Sequence, residues 1–186
     1  MNVVLIGFMA SGKSTIGRAL ARCMDIPFLD TDYALQRTYG MSVSELFASR
    51  GEDEFRRAET DLLAILAQER DLPLGSPRQF ARRYVLSTGG GIPLREENLP
   101  LLKRLGHVVW LRAKVETIAS RCRPHMARRP LLHGHEDDLE DHIKRLMKQR
   151  ESAYRSLADS VFWTDDETEP EQIARRIRAT ICKRSS

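Results

Sequence analysis

The chain has 186 residues, 41% hydrophobic and 30% charged, a size that fits one domain with its own core and a composition that excludes general disorder. A net charge of +4 and a short basic end at Lys183 and Arg184 are too mild for a generic nucleic-acid binder. No apolar run reaches the roughly 20 residues of a bilayer span, and the opening Met1–Ile6 lacks the basic start of a signal peptide, so a cytoplasmic protein is expected.

In chain order, Val3–Ile6 reads as a strand that runs into Gly7-Phe8-Met9-Ala10-Ser11-Gly12-Lys13-Ser14, a G-x-x-x-x-G-K-[ST] loop, and then into a helix over Lys13–Met24. That order lets the backbone from Gly7 through Ala10, Ser11 and Gly12 to Thr15 turn its N–H groups onto phosphate oxygens at a positive helix end. Lys13 adds a point charge, and the Ser14 hydroxyl suits Mg²⁺. The pattern predicts nucleoside triphosphate binding. A GTP switch is not expected, because neither asparagine, Asn2 or Asn98, opens an N-K-x-D motif.

A second strand, 26–29, delivers Asp30-Thr31-Asp32 beside the phosphate loop, since strand carboxyl ends line the ligand crevice of an open α/β sheet. One carboxylate could serve Mg²⁺ and the other an acceptor hydroxyl; the plain alternative is a helix N-cap pair. Helices follow over 42–47 and 52–69. The second holds Arg56 and Glu59 at i, i+3, either a site pair or a surface ion pair. Residues 71–83, with two prolines and a glycine, read as an excursion.

A third strand, 84–87, ends in Gly89-Gly90-Gly91, which suits close approach of a ligand to backbone or simply a tight turn. Then come a helix over 94–105, a strand over 107–111, a helix over Val115–Cys122 and an arginine-bearing loop over 123–137. Such a loop suits a lid that excludes water. A helix over 138–157 carries Arg150 and Tyr154 one turn apart. A strand at Ser160–Trp163 and a helix over 171–182 complete the chain. Cys23, Cys122 and Cys182 form no CxxC pair and read as reduced, mostly core thiols. His125, His133 and His135 lack metal-ligand spacing and read as solvent-facing.

In this order the phosphate loop, Asp30-Thr31-Asp32, Phe55-Arg56-Arg57-Ala58-Glu59, Gly89–Gly91, Arg129-Pro130-Leu131-Leu132 and the Arg150/Tyr154 pair resemble the shikimate kinase family over about residues 3–165. The resemblance implies one P-loop kinase domain over 1–186, a three-layer α/β fold. Its five-stranded parallel sheet has order 2-3-1-4-5, helices on both faces, substrate-binding helices at about 33–61 and a mobile lid at about 123–137. It implies transfer of the ATP γ-phosphoryl group to the 3-hydroxyl of shikimate, in the route to chorismate and aromatic amino acids. Mg²⁺ is the implied cofactor and ATP and shikimate the partners, with no nucleic acid or membrane, in a monomer.

The roles carried over are these. Asp32 orients or deprotonates the hydroxyl, while Lys13 and Arg129 balance phosphoryl charge. Arg56 and Arg150 clamp the carboxylate, Glu59 positions Arg56, and Phe47 and Phe55 pack near the ring. Gly89, Gly90 and Gly91 present backbone, and Ser14 with Asp30 serves the metal. The family's adenine-stacking arginine, seven positions before the lid arginine, falls on Cys122 here, so a one-residue shift to Arg121 is needed. A gluconate or nucleoside monophosphate kinase of the same fold, or a nucleotide-dependent binding module, are the alternative readings.

Overall fold

The computed structural model describes residues 2–68, 83–128, 130–165 and 169–183. Arg129, and the 71–83 excursion apart from Arg83, lie outside the described residues. Five parallel strands, β1 (Val3–Ile6), β2 (Phe28–Asp30), β3 (Val85–Ser87), β4 (His107–Arg112) and β5 (Ser160–Trp163), form one sheet in the order β2-β3-β1-β4-β5. This is the 2-3-1-4-5 order the resemblance implies. All four residues of the central β1 are buried, so its sequence is continuously apolar rather than alternating.

Helices cover both faces. On one, α1 (Lys13–Met24) and α7 (Pro170–Lys183) pack Leu20, Ala174 and Ile177 on Val3, Leu5 and Leu111. On the other, α3 (Val43–Ala67), α4 (Asn98–Leu105) and α6 (Leu139–Leu157) pack Leu63, Leu102 and Leu157 on Val4, Ile6 and Val108. Truncating any of these large side chains to Ala should cost about 2–5 kcal/mol. Two smaller clusters position the site. Leu35 of α2 (Thr31–Tyr39) meets Leu46, Phe55 and Ala58 of α3. Ile118 of α5 (Val115–Cys122) meets Phe8, Leu132 and Ile143 at the base of the 123–137 loop.

The structure corrects several expected boundaries. Strand β2 begins at Phe28, not at 26, because Asp25 turns left-handed at the end of α1 and the Ile26 N–H closes that helix by donating to the Ala21 carbonyl. The two helices expected at 42–47 and 52–69 are the two halves of α3, which meet at Gly51, whose φ of 82° and ψ of 166° are not helical; the first runs on past 47 and the second ends at Ala67. Helix α4 starts at Asn98, since Ile92–Leu94 forms a 3₁₀ turn and Arg95 is extended. Helix α2 starts within the aspartate motif itself, directly after its cap Asp30. The 123–137 loop contains 3₁₀ turns at Arg123–Arg128 and Pro130–Leu132.

The cysteines also depart from expectation. Only Cys122 is buried; Cys23 is half-buried and Cys182 exposed. In α7 the sheet-facing stripe is Ile173, Ala174, Ile177 and Ile181, which turns the next residue, Cys182, outward.

Candidate active site

The phosphate loop closes on itself through its own backbone turns and Lys13. Gly7 (φ 147°) and Gly12 (φ 92°) occupy backbone regions that L side chains rarely adopt, and a Cβ at Gly7 would strike the Leu111 carbonyl. Lys13 bends back so that Nζ donates to the carbonyls of Gly7 (2.9 Å) and Phe8 (2.8 Å). The buried Ser11 hydroxyl has no hydrogen-bond partner. Ala10, Gly12, Lys13, Ser14 and Thr15 line a cavity of about 470 Å³ above the start of α1.

At the floor of that cavity the Ser14 hydroxyl donates to Asp30 Oδ2 at 2.7 Å. The other carboxylate oxygen of Asp30 caps α2 by accepting from the N–H groups of Asp32 and Tyr33. The N-cap alternative is therefore correct for Asp30, and the cap is what turns Asp32 into the crevice. A hydroxyl and a carboxylate, hard oxygen donors beside a phosphate loop, fit Mg²⁺, which takes one or two protein groups and fills its shell with water and phosphate. No cluster of three or more His, Cys, Asp or Glu residues among the described residues could hold a metal by itself.

Arg121 and Cys122 separate clearly. Cys122 is fully buried, whereas Arg121 lines the cavity and donates to the carbonyls of Ala10 (3.2 Å) and Thr164 (2.5 Å).

A second cavity, about 780 Å³, opens beside the first. Phe47 and Phe55 of α3 form one wall, their ring centroids 4.7 Å apart, with the Arg56 guanidinium 5.6 Å and 5.5 Å from their centres. Arg56 is held from two sides, by Glu59 at 2.8 Å and Glu52 at 3.0 Å. Burial works against its charge, yet the two carboxylates outweigh that and raise its pKa. Glu59 is wholly buried, and burial pushes its pKa up to about 7 against the pull of Arg56, with Asp32 and Glu52 adding to the rise.

Across the cavity, Arg150 of α6 is buried over the Phe8 ring, 5.1 Å from its centre, and reaches the Gly90 carbonyl at 3.5 Å. The Tyr154 hydroxyl donates to the same carbonyl at 2.6 Å. Two of the three glycines are needed for space. A Cβ at Gly89 would lie 2.5 Å from Glu59 Oε1 and 2.9 Å from Asp32 Oδ1, and one at Gly91 would strike the Arg56 guanidinium.

The structure thus gathers Asp32, Phe47, Phe55, Arg56, Glu59, the glycines and Arg150 around one cavity. Met9, Asp32 and Gly90 line both cavities and form the wall between them. Arg129 lies outside the described residues. Several groups in the arrangement carry no signal that the residue pattern made use of: Met9 in the shared wall, Glu52 on Arg56, Phe8 under Arg150, and the Thr31 hydroxyl that accepts from the Gly89 N–H at 2.8 Å. Glu52 stands at i, i+4 from Arg56, a spacing that could have flagged it. His125, read as solvent-facing, is exposed but lines the acceptor-side cavity.

Comparison with known proteins adds an independent line. A family model described as shikimate kinase matches residues 9–182. The shikimate kinase of Moorella thermoacetica is 39% identical over 180 residues, spanning 97% of this chain and 94% of that one. The solved structure of shikimate kinase from Acinetobacter baumannii in complex with shikimate superposes with a TM-score of 0.84 at 31% identity, covering 98% of this chain and 93% of the other. A gluconokinase from Sinorhizobium meliloti, at 16% identity and a TM-score of 0.53 over 100% of this chain and 97% of that one, shares the fold alone.

Proposed function

The chain belongs to the shikimate kinase family, and from that premise we propose how its two cavities divide the work. The enzyme is an ATP:shikimate 3-phosphotransferase: it moves the γ-phosphoryl group of ATP to the 3-hydroxyl of shikimate. In our reading the 470 Å³ cavity takes the triphosphate and the 780 Å³ cavity takes shikimate. The observation that carries this is the shared wall, because Asp32 is, among the described residues, the one carboxylate lining both cavities.

On the donor side, backbone N–H groups of the phosphate loop cradle the β- and γ-phosphates, and Lys13 swings from the Gly7 and Phe8 carbonyls onto them. Arg121 lies along the nucleotide, and Arg129 is assigned to the transferring phosphoryl group. Ser14, with Asp30 behind it, would hold Mg²⁺, which when bound neutralises charge on the phosphates.

On the acceptor side, Arg56 and Arg150 receive the shikimate carboxylate from opposite walls, Arg56 being aimed by Glu59. Phe47 and Phe55 border the ring, and the Gly90 and Gly91 backbone faces the ring hydroxyls. Asp32 accepts a hydrogen bond from the 3-hydroxyl and takes its proton as the phosphoryl group arrives. Most of the rate enhancement comes from fixed charges and alignment, which phosphoryl transfer chiefly requires. Closure of the 123–137 lid over the nucleotide excludes water.

Two arginines offset by Asp32 and Glu59 suit one carboxylate and a set of hydroxyls better than the dianionic phosphate of a nucleotide acceptor. We read the enzyme as a cytoplasmic monomer with ATP and shikimate as its partners and no nucleic acid or membrane. No helix among the described residues is long and apolar enough to cross a bilayer. The test is ADP release with shikimate, gluconate and AMP offered in parallel. Turnover with shikimate alone is expected; preference for either other acceptor would overturn the assignment of the second cavity.

A further inference from the structure

Away from both cavities, one cysteine meets a guanidinium, and a second lies one helical turn beyond that arginine. Helices α1 and α7 run side by side in one direction: Lys13 and Ile173, near their starts, line the nucleotide cavity, while Cys23 and Cys182 are each the last but one residue of their helix. At that far end Arg178 Nη1 donates to Cys23 Sγ at 3.7 Å. Cys182 lies one turn beyond Arg178 on the same face of α7. The Arg178 pKa is raised, first by its hydrogen bond to Cys23, with Cys182 contributing. Cys23 is half-buried, and Arg178 and Cys182 are exposed. The third thiol, Cys122, is sealed in the core.

A thiolate is the attacking form of cysteine, and an adjacent guanidinium stabilises it; solvent access then decides which thiol reacts. Here a cation stands beside an accessible thiol, and a second, exposed thiol lies one turn further along the helix that carries the cation, which brings together the groups that disulfide exchange requires. Nothing in the phosphoryl transfer uses these three residues.

We propose that Cys23 and Cys182, organised by Arg178, form a thiol–disulfide exchange site for low-molecular-weight disulfides such as glutathione disulfide. The Cys23 thiolate attacks one sulfur of the disulfide, forming a mixed disulfide and releasing one glutathione thiolate. Cys182 then attacks the Cys23 sulfur, which closes the Cys23–Cys182 bond and releases the second glutathione. The two protein thiols are oxidised by two electrons, the small disulfide is reduced by the same two, and the two thiol protons end on the released glutathiones. The product ties α1, which carries the phosphate loop at its other end, to α7. Because the closed loop spans most of the chain, the bond restricts the unfolded state strongly, and the melting temperature should rise by about 10 °C.

The experiment incubates the full chain with glutathione disulfide under native conditions and maps the thiol peptides by mass. Wild type should yield a Cys23–Cys182 linked peptide, the higher melting temperature, and reversal of both on adding dithiothreitol. Cys182→Ser should stop at one glutathione on Cys23, with kinase turnover of the untreated variant equal to wild type as proof of folding. Arg178→Ala should slow the first step by about two- to fivefold, the scale of one exposed charge contact. Absence of the linked peptide in wild type, glutathione on a residue other than Cys23 in Cys182→Ser, or Cys122 reacting as fast as Cys23 would each overturn the proposal.

Discussion

The nucleotide cavity takes nearly half of its lining from one short stretch, Met9 to Ile16, whereas the acceptor cavity collects Asp32 from α2, Phe55, Arg56 and Glu59 from α3, the glycines after β3, and Arg150 from α6. The first is chiefly a backbone device at the start of a helix, set by two positive-φ glycines and tolerant of what surrounds it. The second exists only after four parts of the chain have packed. Its charges are buried or half-buried and lean on one another: Glu59 on Arg56, Arg56 on the space Gly91 leaves, Arg150 on Phe8 and Gly90. Triphosphate binding should therefore survive damage that destroys acceptor recognition, and five measurements press on that asymmetry.

The strongest loss belongs to the shared wall. Asp32→Asn should lower kcat by about 10²- to 10⁴-fold, the range of a lost general base, while ATP affinity in a nucleotide titration stays within twofold. Near-normal turnover would remove Asp32 from proton transfer. Gly89→Ala comes next. Its Cβ would displace the Glu59 and Asp32 carboxylates, so kcat/KM for shikimate should fall by about 10²-fold, with stability reduced by about 1–3 kcal/mol for overpacking. An unchanged kcat/KM would mean that the wall yields freely.

Arg150→Ala should raise the KM for shikimate by about 10- to 100-fold, as expected for a charged hydrogen bond of about 1.5–3 kcal/mol, and leave the KM for ATP nearly untouched. Equal rises in both would make Arg150 part of the nucleotide site.

The fourth measurement is a pH series. With its pKa near 7, Glu59 is protonated below that value and holds Arg56 less firmly, so the KM for shikimate should fall as pH rises through about 7. Stability runs the other way. Between the ordinary value of 4.5 and about 7 the folded state keeps a proton that the unfolded chain has already lost, so stability declines as pH rises across that window, by on the order of 3 kcal/mol. Glu59→Gln should flatten both curves; a KM profile that keeps its inflection in Glu59→Gln would assign it elsewhere. The mildest change is that of Arg121→Ala, expected to raise the KM for ATP by about two- to fivefold, the scale of one exposed charge contact, with no change for shikimate. A shift confined to shikimate would reverse the assignment.

The same contrast explains what could be read from sequence. The boundaries of β1, α1, α5 and β5 agree with the residue pattern because each is bounded by local signals: a glycine loop, a left-handed cap, an alternation of apolar runs. The acceptor set emerged only through family resemblance, since an arginine and a glutamate one turn apart look alike on any surface, and only burial by Phe47 and Phe55 distinguishes Arg56 from Arg50. Helix α2 was legible only as a run following a capping pair and as part of the substrate-binding helices at about 33–61; its start went unplaced because it coincides with the aspartates that do the chemistry, so one short stretch carries two signals. The break at Gly51 was legible as the gap between two helices, whereas the meeting of Cys23 with Arg178 is a property of packing between distant segments, and no spacing along the chain encodes it.

The position of β1 has a consequence for how the molecule is made. Of the five strands of this sheet it is the first to be synthesised, yet it sits in the middle, hydrogen-bonded to β3 and β4, and residues 85–87 and 107–112 do not yet exist when it emerges. At roughly 5–20 residues per second, Val3–Ile6 waits on the order of 10 s for both neighbours. During that interval a wholly apolar segment is held in the nascent chain without its mates. The burden of keeping it from sticking to other chains falls on translation speed and on the cell's chaperones.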